Sequence, residues 1–120
     1  MNAKAVVAAL GALAHEHRLA VYRLLVEGGP EGLSAGVIAE RVGLVPSSLT
    51  FHVQALQRAG LITQRRASRQ LFYAADFTAM NALVSYLTEN CCAQSGANCE
   101  SLCQPARVTA PKVKRARRAA

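Results

Sequence analysis

The spacing of apolar residues predicts a series of short helices that is interrupted once by strands. Residues 3–13 and 16–27 show helical periodicity, and the Gly28-Gly29-Pro30 sequence ends the second of these helices. The second helix is expected to bury an apolar stripe. Its members are Leu19, Tyr22, Leu25 and Val26.

A third, short helix is predicted in GVIAERVG, where Ser34 is suited to cap the first turn and Gly43 to end the last. We expect three of its residues to face inward. They are Val37, Ile38 and Val42. A fourth helix follows, because Pro46 suits a first helical turn and Gly60 ends the apolar periodicity.

After Gly60 the pattern changes to two short runs of β-prone residues, 61–64 and 70–74, which flank a polar and basic segment. This predicts a β-hairpin with a basic tip. A last helix is predicted over residues 78–89, followed by a cysteine-containing segment. Its apolar positions at helical spacing are Met80, Leu83, Val84 and Leu87.

The predicted order is therefore four helices, a two-stranded hairpin and a helix. This order gives a fold class that is mainly α with a small β-hairpin. Two helices joined by a short turn containing glycine and followed by a basic hairpin are typical of a winged helix-turn-helix, whose second helix enters the major groove of DNA.

The fourth helix has a core face and an opposite face that suits DNA recognition. At about 100° per residue, Leu49, Val53 and Leu56 fall together. Hydroxyl and amide side chains can bond base edges, and an exposed aromatic ring can contact thymine methyl groups. The candidate DNA contacts on or beside the face opposite the core are Ser47, Ser48, Thr50, Phe51, His52, Gln54 and Arg58. The alternative is an ordinary solvated helix face, with His52 as a structural residue at the core edge. His15 and His17 are assigned no chemical role.

The distribution of charge singles out the hairpin. The formal net charge is +7, but six of the fourteen Lys and Arg residues lie in 107–118, so residues 1–106 are nearly neutral. Within them, Arg65, Arg66 and Arg69 form the one dense basic cluster, which we expect to contact phosphates or the adjacent minor groove. A solubilising loop is the alternative. Residues 105–120 are expected to be disordered, either adding phosphate attraction or being dispensable.

All four cysteines fall within thirteen positions, at Cys91, Cys92, Cys99 and Cys103. A disulfide between adjacent cysteines would close a strained ring, whereas two thiolates can bind one soft ion with ordinary rotamers.

The chain has no apolar run long enough to cross a membrane. We therefore expect a cytoplasmic protein with reduced thiols, although residues 1–14 bear a weak likeness to a signal peptide.

Residues 32–75, and above all SSLTFHVQALQRAGLI, resemble the winged-helix core of the ArsR/SmtB family of metal- and metalloid-responsive bacterial repressors. This resemblance implies a homodimer that joins through its first and last helices. It also implies two recognition helices in successive major grooves of a near-palindromic double-stranded operator, and repression that is relieved by an inorganic effector.

The effector site departs from two arrangements of that family. Many arsenic-responsive members have a cysteine pair in the helix before the recognition helix, but GVIAERVG holds no cysteine here. Zinc-sensing members have Asp, His and Glu ligands on the last helix, but FTAMNALVSYLTEN holds no histidine. The remaining resemblance is to members with a Cys-Cys pair just after the last helix and one later cysteine. It implies arsenite, As(III), or antimonite, Sb(III), held by Cys91, Cys92 and Cys99, with Cys103 in reserve.

Three segments are expected: a winged-helix DNA-binding and dimerisation domain over 1–90, an effector-binding segment over 91–104, and a basic tail over 105–120. A sensor of zinc, cadmium or lead is the first alternative, because four thiolates also suit zinc. A thiol-based metal-trafficking protein is the second. No catalytic residues are predicted, since residues 87–105 contain no His, Lys or Arg that would assist a thiol.

Overall fold

The computed structural model describes residues 1–93. The helices are α1 (Ala3–Leu13), α2 (Glu16–Gly28), α3 (Ala35–Val42), α4 (Pro46–Arg58) and α5 (Phe77–Thr88). The strands are β1 (Leu33–Ser34), β2 (Ile62–Ala67) and β3 (Gln70–Ala75). The predicted class, mainly α with a winged hairpin after the fourth helix, is confirmed.

The local signals for the helix ends around the helix-turn-helix are also confirmed. The Ser34 side chain accepts a hydrogen bond from the Val37 amide at 3.3 Å and so caps α3. Gly43 ends α3 in the left-handed conformation, with φ at 80°. Pro46 occupies the first turn of α4, where its missing N–H costs no helical hydrogen bond.

The sheet has three antiparallel strands in the order β1-β3-β2, one more than the sequence predicts. The additional strand is β1, in which Leu33 pairs with Tyr73. Gly32 allows this close approach. Its φ is +80°, and a Cβ there would collide with the carbonyl oxygen of Tyr73 and lie 2.9 Å from the carbonyl carbon.

The core lies between the helices and the inner face of this sheet. Its buried apolar members are Val6, Ala9, Ala12, Val21, Tyr22, Leu25, Ile38, Ala39, Leu49, Val53, Leu56, Leu61, Ile62, Tyr73, Ala75 and Leu83. Tyr22 brings a buried hydroxyl into this core for which the described residues supply no hydrogen-bond partner. Burial, followed by the charge of Asp76, raises the pKa of Tyr22.

Two predicted core positions are wrong. Leu19 is 46% exposed, because α2 buries the face of Val21, from which Leu19 is rotated by about 200°. Val37 is 38% exposed, because α3 turns Ile38 and Ala39 inward instead.

Residues Met1–Leu87 form one compact unit, and a second unit begins at Thr88. In the second unit, residues 89–93 form turns after the end of α5, and the Cys91 amide donates to the Thr88 carbonyl at 3.1 Å. The predicted segment boundaries stay predictions, and the predicted disordered tail at 105–120 lies outside the described residues. Across residues 1–93, no helix combines the length and the apolar character that crossing a membrane requires.

Candidate nucleic-acid interface

Helix α4 is held in the domain by one apolar face. Leu49, Val53 and Leu56 are all buried, as the helical rotation predicts. This face fixes the helix axis against α2 and α3, so the opposite side is presented on a firmly packed element.

We call this opposite side the outer face. It consists of Ser47, Thr50, Phe51, Gln54 and Arg58, all exposed, with Ser48 half-buried at its edge. Phe51 is 58% exposed, which is unusual for a large apolar ring on a helix. The Thr50 hydroxyl donates to the Pro46 carbonyl at 3.0 Å. The outer face is thus a mostly uncharged surface with one projecting aromatic ring.

His52 does not belong to this surface. It is 7% exposed, and its Nδ1 accepts a hydrogen bond from Arg18 Nε at 3.3 Å. Its ring centroid lies 4.7 Å from that of His15 and 5.7 Å from that of His17. Burial lowers the pKa of His52, and the neighbouring His15, Arg18 and His17 lower it further. The structural alternative for His52 therefore fits its surroundings better than a base contact does.

Arg18 also contacts the outer face, and the sequence pattern does not single it out. Its guanidinium carbon lies 5.5 Å from the Phe51 ring centroid, within the range of a cation–π contact. Arg18 lies among the polar residues of α2, and a charged residue at such a position is common in helices, so nothing in the sequence marks it.

The basic hairpin differs from its prediction. Arg65 and Arg66 lie within β2, opposite Phe72 and Leu71, and of the three predicted arginines only Arg69 lies in the turn. The strand is longer than expected because the polar residues of β2 pair fully with the aromatic and aliphatic residues of β3.

The two strand arginines have different surroundings, since successive side chains of a strand point to opposite faces. The Arg65 guanidinium donates to the Glu31 carbonyl at 3.0 Å and lies over the Phe72 ring at 4.5 Å. Arg66 is exposed on the other face, which is the one that carries Gln64. Arg65 is tied to the domain, whereas Arg66 projects from it.

A chain of side-chain hydrogen bonds connects the helix to the hairpin. Gln57 of α4 donates to Gln64 of β2 at 3.4 Å, and Gln64 donates to the Tyr73 hydroxyl at 3.4 Å. Sequence reasoning missed both glutamines, because neither spacing nor charge sets them apart from solvated residues.

The interface segment as a whole is basic. From residue 41 to residue 75 the chain has five arginines and no Asp or Glu. Four of these arginines belong to α4 and the hairpin, as Arg58, Arg65, Arg66 and Arg69. A surface of one sign without internal neutralisation attracts a polyanion and steers its approach.

The first two predicted effector ligands lie in the second unit. The sulfur atoms of Cys91 and Cys92 are 3.5 Å apart, which is too long for a disulfide. Cys91 is exposed and Cys92 is half-buried. Cys99 and Cys103 lie outside the described residues. Within residues 1–93, no group of three or more His, Cys, Asp or Glu side chains is arranged to hold a metal ion.

Comparisons with known proteins agree with this geometry. A family model described as a helix-turn-helix domain matches residues 13–65. The transcriptional activator HlyU of Vibrio cholerae is 35% identical over 86 residues, which cover 72% of this chain and 76% of HlyU. The HTH-type transcriptional regulator YgaV of Escherichia coli is 30% identical over 91 residues, covering 76% of this chain and 90% of YgaV.

Solved structures show the same fold. The structure of HlyU from Vibrio cholerae superposes with a TM-score of 0.61 at 31% identity, over 76% of this chain and 96% of HlyU. The homodimeric winged helix-turn-helix DNA-binding domain Mb0332 from Mycobacterium bovis superposes with a TM-score of 0.58 at 26% identity, over 73% of this chain and 82% of that domain. Together with the basic interface, these likenesses identify the chain: it belongs to the winged helix-turn-helix family of DNA-binding transcriptional regulators of the ArsR/HlyU type.

Proposed function

We propose that this regulator is a homodimeric repressor that leaves its operator when its thiols capture As(III) or Sb(III). The supporting observation is the 3.5 Å separation of the Cys91 and Cys92 sulfur atoms. Two sulfurs that each lie about 2.3 Å from one ion are about 3.5–3.8 Å apart for bond angles of about 100–109°. The pair is therefore already spaced for a single soft ion.

A third sulfur is needed, because trivalent arsenic takes three thiolates in a pyramid. We assign this role to Cys99, with Cys103 in reserve. Both follow the pair closely in the chain, and the intervening AQSGAN contains Gly and small polar residues that allow a turn. The charges on three thiolates match those of a trivalent ion, so binding favours the deprotonated thiols.

The same spacing gives the second candidate function. Tetrahedral zinc needs sulfurs about 3.8 Å apart, so a sensor of zinc, cadmium or lead would also accommodate the pair. All four cysteines would then be ligands. The distinction lies in the stoichiometry: three sulfurs per metalloid, four per divalent ion. The further alternative, a thiol-based trafficking protein, has no use for the basic interface of residues 41–75.

We propose that the DNA contacts are made by the outer face of α4 together with Arg66 and Arg69 of the hairpin. The exposed polar side chains of α4 supply base contacts, and the arginines supply phosphate contacts. The hydrogen bond from Gln57 to Gln64 joins the helix to the hairpin, which would help both elements to contact one duplex together.

The dimer is proposed to form through α1 and α5. Each of these helices leaves large apolar side chains exposed in the single chain: Val7 and Leu10 on α1, and Val84 and Leu87 on α5. A second copy would cover them. The thiols follow α5 directly in the chain, so ion capture there would be coupled to the dimer geometry. A coupling of about 1–3 kcal/mol, about 5- to 150-fold in DNA affinity, is typical.

The test is fluorescence anisotropy of the reduced protein on labelled DNA from upstream of its own gene. Arsenite, antimonite or zinc is added to the wild type and to Cys92→Ser. Release by arsenite in the wild type but not in the variant would support the proposal. Release by zinc or cadmium alone would favour the second candidate, and no binding at low salt would refute the proposed operator.

A matched pair of variants then identifies the third ligand. Cys99→Ser and Cys103→Ser remove the same atom from positions four residues apart. We expect arsenite to release only Cys103→Ser from DNA. The opposite result would exchange the two roles. Loss of release in both variants would indicate a site with four sulfurs.

A further inference from the structure

The rings of all three histidines of this chain form one cluster where α2 packs against α4. His15 caps α2, with its Nδ1 accepting from the His17 amide at 3.1 Å. His52 comes from the buried side of α4. The three ring centroids lie 4.7–5.7 Å from one another. This histidine cluster lies between the N-terminal end of α2 and the middle of α4.

Arg18 joins this cluster to the outer face. Its Nε donates to the buried His52 Nδ1 at 3.3 Å, and its guanidinium lies 5.5 Å from the exposed Phe51 ring. Phe51 and His52 are neighbours in sequence and contact each other edge to face, with ring centroids 5.5 Å apart. One α2 side chain thus contacts two consecutive residues of α4, of which one is buried and the other exposed.

We propose that Arg18 is a positioning residue for DNA recognition, which holds the Phe51 ring in place on the outer face from an anchor on His52. The inference rests on the proposed use of the outer face as the DNA contact. A free ring would occupy several rotamers and lose that freedom on binding, whereas a ring held beneath the guanidinium has already lost it. Arg18 therefore acts through Phe51, without itself needing to touch the DNA.

The anchor works only with a neutral imidazole. A histidine cation has donors at both nitrogens, so Nδ1 can accept from Arg18 only while His52 is unprotonated. Within residues 1–93, the charged or titratable groups that act on His52 are His15, Arg18 and His17, from α2 and its cap. On the α1 side, the cleft that Arg18 lines is bounded by Ala8, Gly11 and Ala12, which carry no titratable group, and Arg58 is its other charged lining residue. Acidification should therefore release Arg18 from His52.

The first test needs no DNA. The chain has three phenylalanines, so a protein labelled with 4-fluorophenylalanine should give three ¹⁹F resonances, from Phe51, Phe72 and Phe77. We expect Arg18→Lys to shift the Phe51 resonance and leave the other two in place. In the wild type, the Phe51 resonance should also move as the pH falls below about 6.5, the ordinary histidine value. A Phe51 resonance that is insensitive to both changes would overturn the proposal.

The second test is DNA affinity measured as a function of salt. A cation–π contact corresponds to about 2- to 5-fold in affinity per protomer, hence about 4- to 25-fold for a dimer. We expect this loss in Arg18→Gln, which removes the cation that faces the ring, with an unchanged slope of log affinity against log salt. Arg18 is not a positioning residue if Arg18→Gln binds like the wild type, or if it makes the slope shallower, since the slope counts phosphate contacts.

Two controls separate this idea from the proposed function. Arg23→Gln removes an exposed charge from the same helix at a position that lines a different cleft, and it should leave the affinity unchanged. In a Phe51→Leu background, Arg18→Gln should have no further effect. If Arg18→Gln leaves the affinity unchanged while Arg66→Gln weakens binding, the positioning role fails and DNA binding stands. If the wild type does not bind, the proposed function itself fails.

Discussion

The contrast between Arg65 and Arg66 gives a quantitative prediction for DNA binding. Arg66 projects from β2, whereas Arg65 is held by the Glu31 carbonyl and the Phe72 ring. Replacing Arg66 by Gln should remove one phosphate contact per hairpin, hence two in the proposed homodimer. Each contact contributes about 0.9 to the slope of log affinity against log salt, so the slope should become shallower by about 1.8.

The same slope sets the loss of affinity at each salt concentration. Taking 1 M salt as the point at which the counterion term vanishes, a change of 1.8 in slope corresponds to about 60-fold at 0.1 M and about 9-fold at 0.3 M. The loss should thus shrink as salt rises. A lost base contact would instead weaken binding by a similar factor at every salt concentration.

The assay is anisotropy titration of the operator at four or five salt concentrations, with Arg65→Gln as the matched control. Both variants change the net charge equally, so a general electrostatic effect would appear in both. We expect Arg65→Gln to keep the wild-type slope and to lower the melting temperature instead, because it breaks contacts within the domain. Equal slopes for the wild type and Arg66→Gln would refute this account of the wing.

Four further predictions concern the domain and its assembly. Gly32→Ala should lower the free energy of unfolding by about 3 kcal/mol or more, because its Cβ would collide with the Tyr73 carbonyl. Gly43→Ala has the same φ of +80° but open space around it, so it should lower this free energy by only about 1–2 kcal/mol. Urea unfolding of both variants at one fixed protein concentration measures the difference. Tyr22→Phe should leave the melting temperature unchanged or raise it, since the lost hydroxyl has no described partner. Because the pKa of His52 is lowered on folding, its contribution to stability is complete above about pH 6.5 and is lost as the pH falls through the folded value; melting curves from pH 8 to 5 should show a decline that His52→Gln reduces. Val7→Glu, at a side chain that is 69% exposed, should convert a dimer to a monomer in analytical ultracentrifugation, and an unchanged sedimentation coefficient would place the interface elsewhere.

The parts of the fold that the sequence predicts are those with strong local signals. Caps and stops such as Ser34, Gly43 and Pro46 act through their own backbone and the next turn, so a single sequence is enough to find them. The core face of α4 follows from one helical period. The position of Arg66 does not, because its place in β2 depends on pairing with Leu71 across the hairpin.

The same limit applies to the candidate interface. The outer face of α4 follows from rotation about one helix axis, so its members were predictable. Arg18 approaches Phe51 from a helix more than thirty residues away in sequence, and such a contact has no periodicity of its own. β1 was equally hidden, because it has only two residues, Leu33 and Ser34, which pair with Tyr73 and Phe72, and Ser34 is at the same time the cap of α3.

The hydrogen bond within the first turn of α4 has a consequence for the operator itself. The Thr50 hydroxyl gives its proton to the Pro46 carbonyl, so toward the groove it offers only lone pairs and a methyl group. Of the base edges in the major groove, it can therefore accept from the amino groups of adenine and cytosine, but it cannot donate to guanine O6 or thymine O4. Its methyl group can still pack against a thymine methyl. If Thr50 contacts a base as proposed, a half-site for this protein should carry adenine or cytosine opposite Thr50, and replacing that base by guanine should weaken binding.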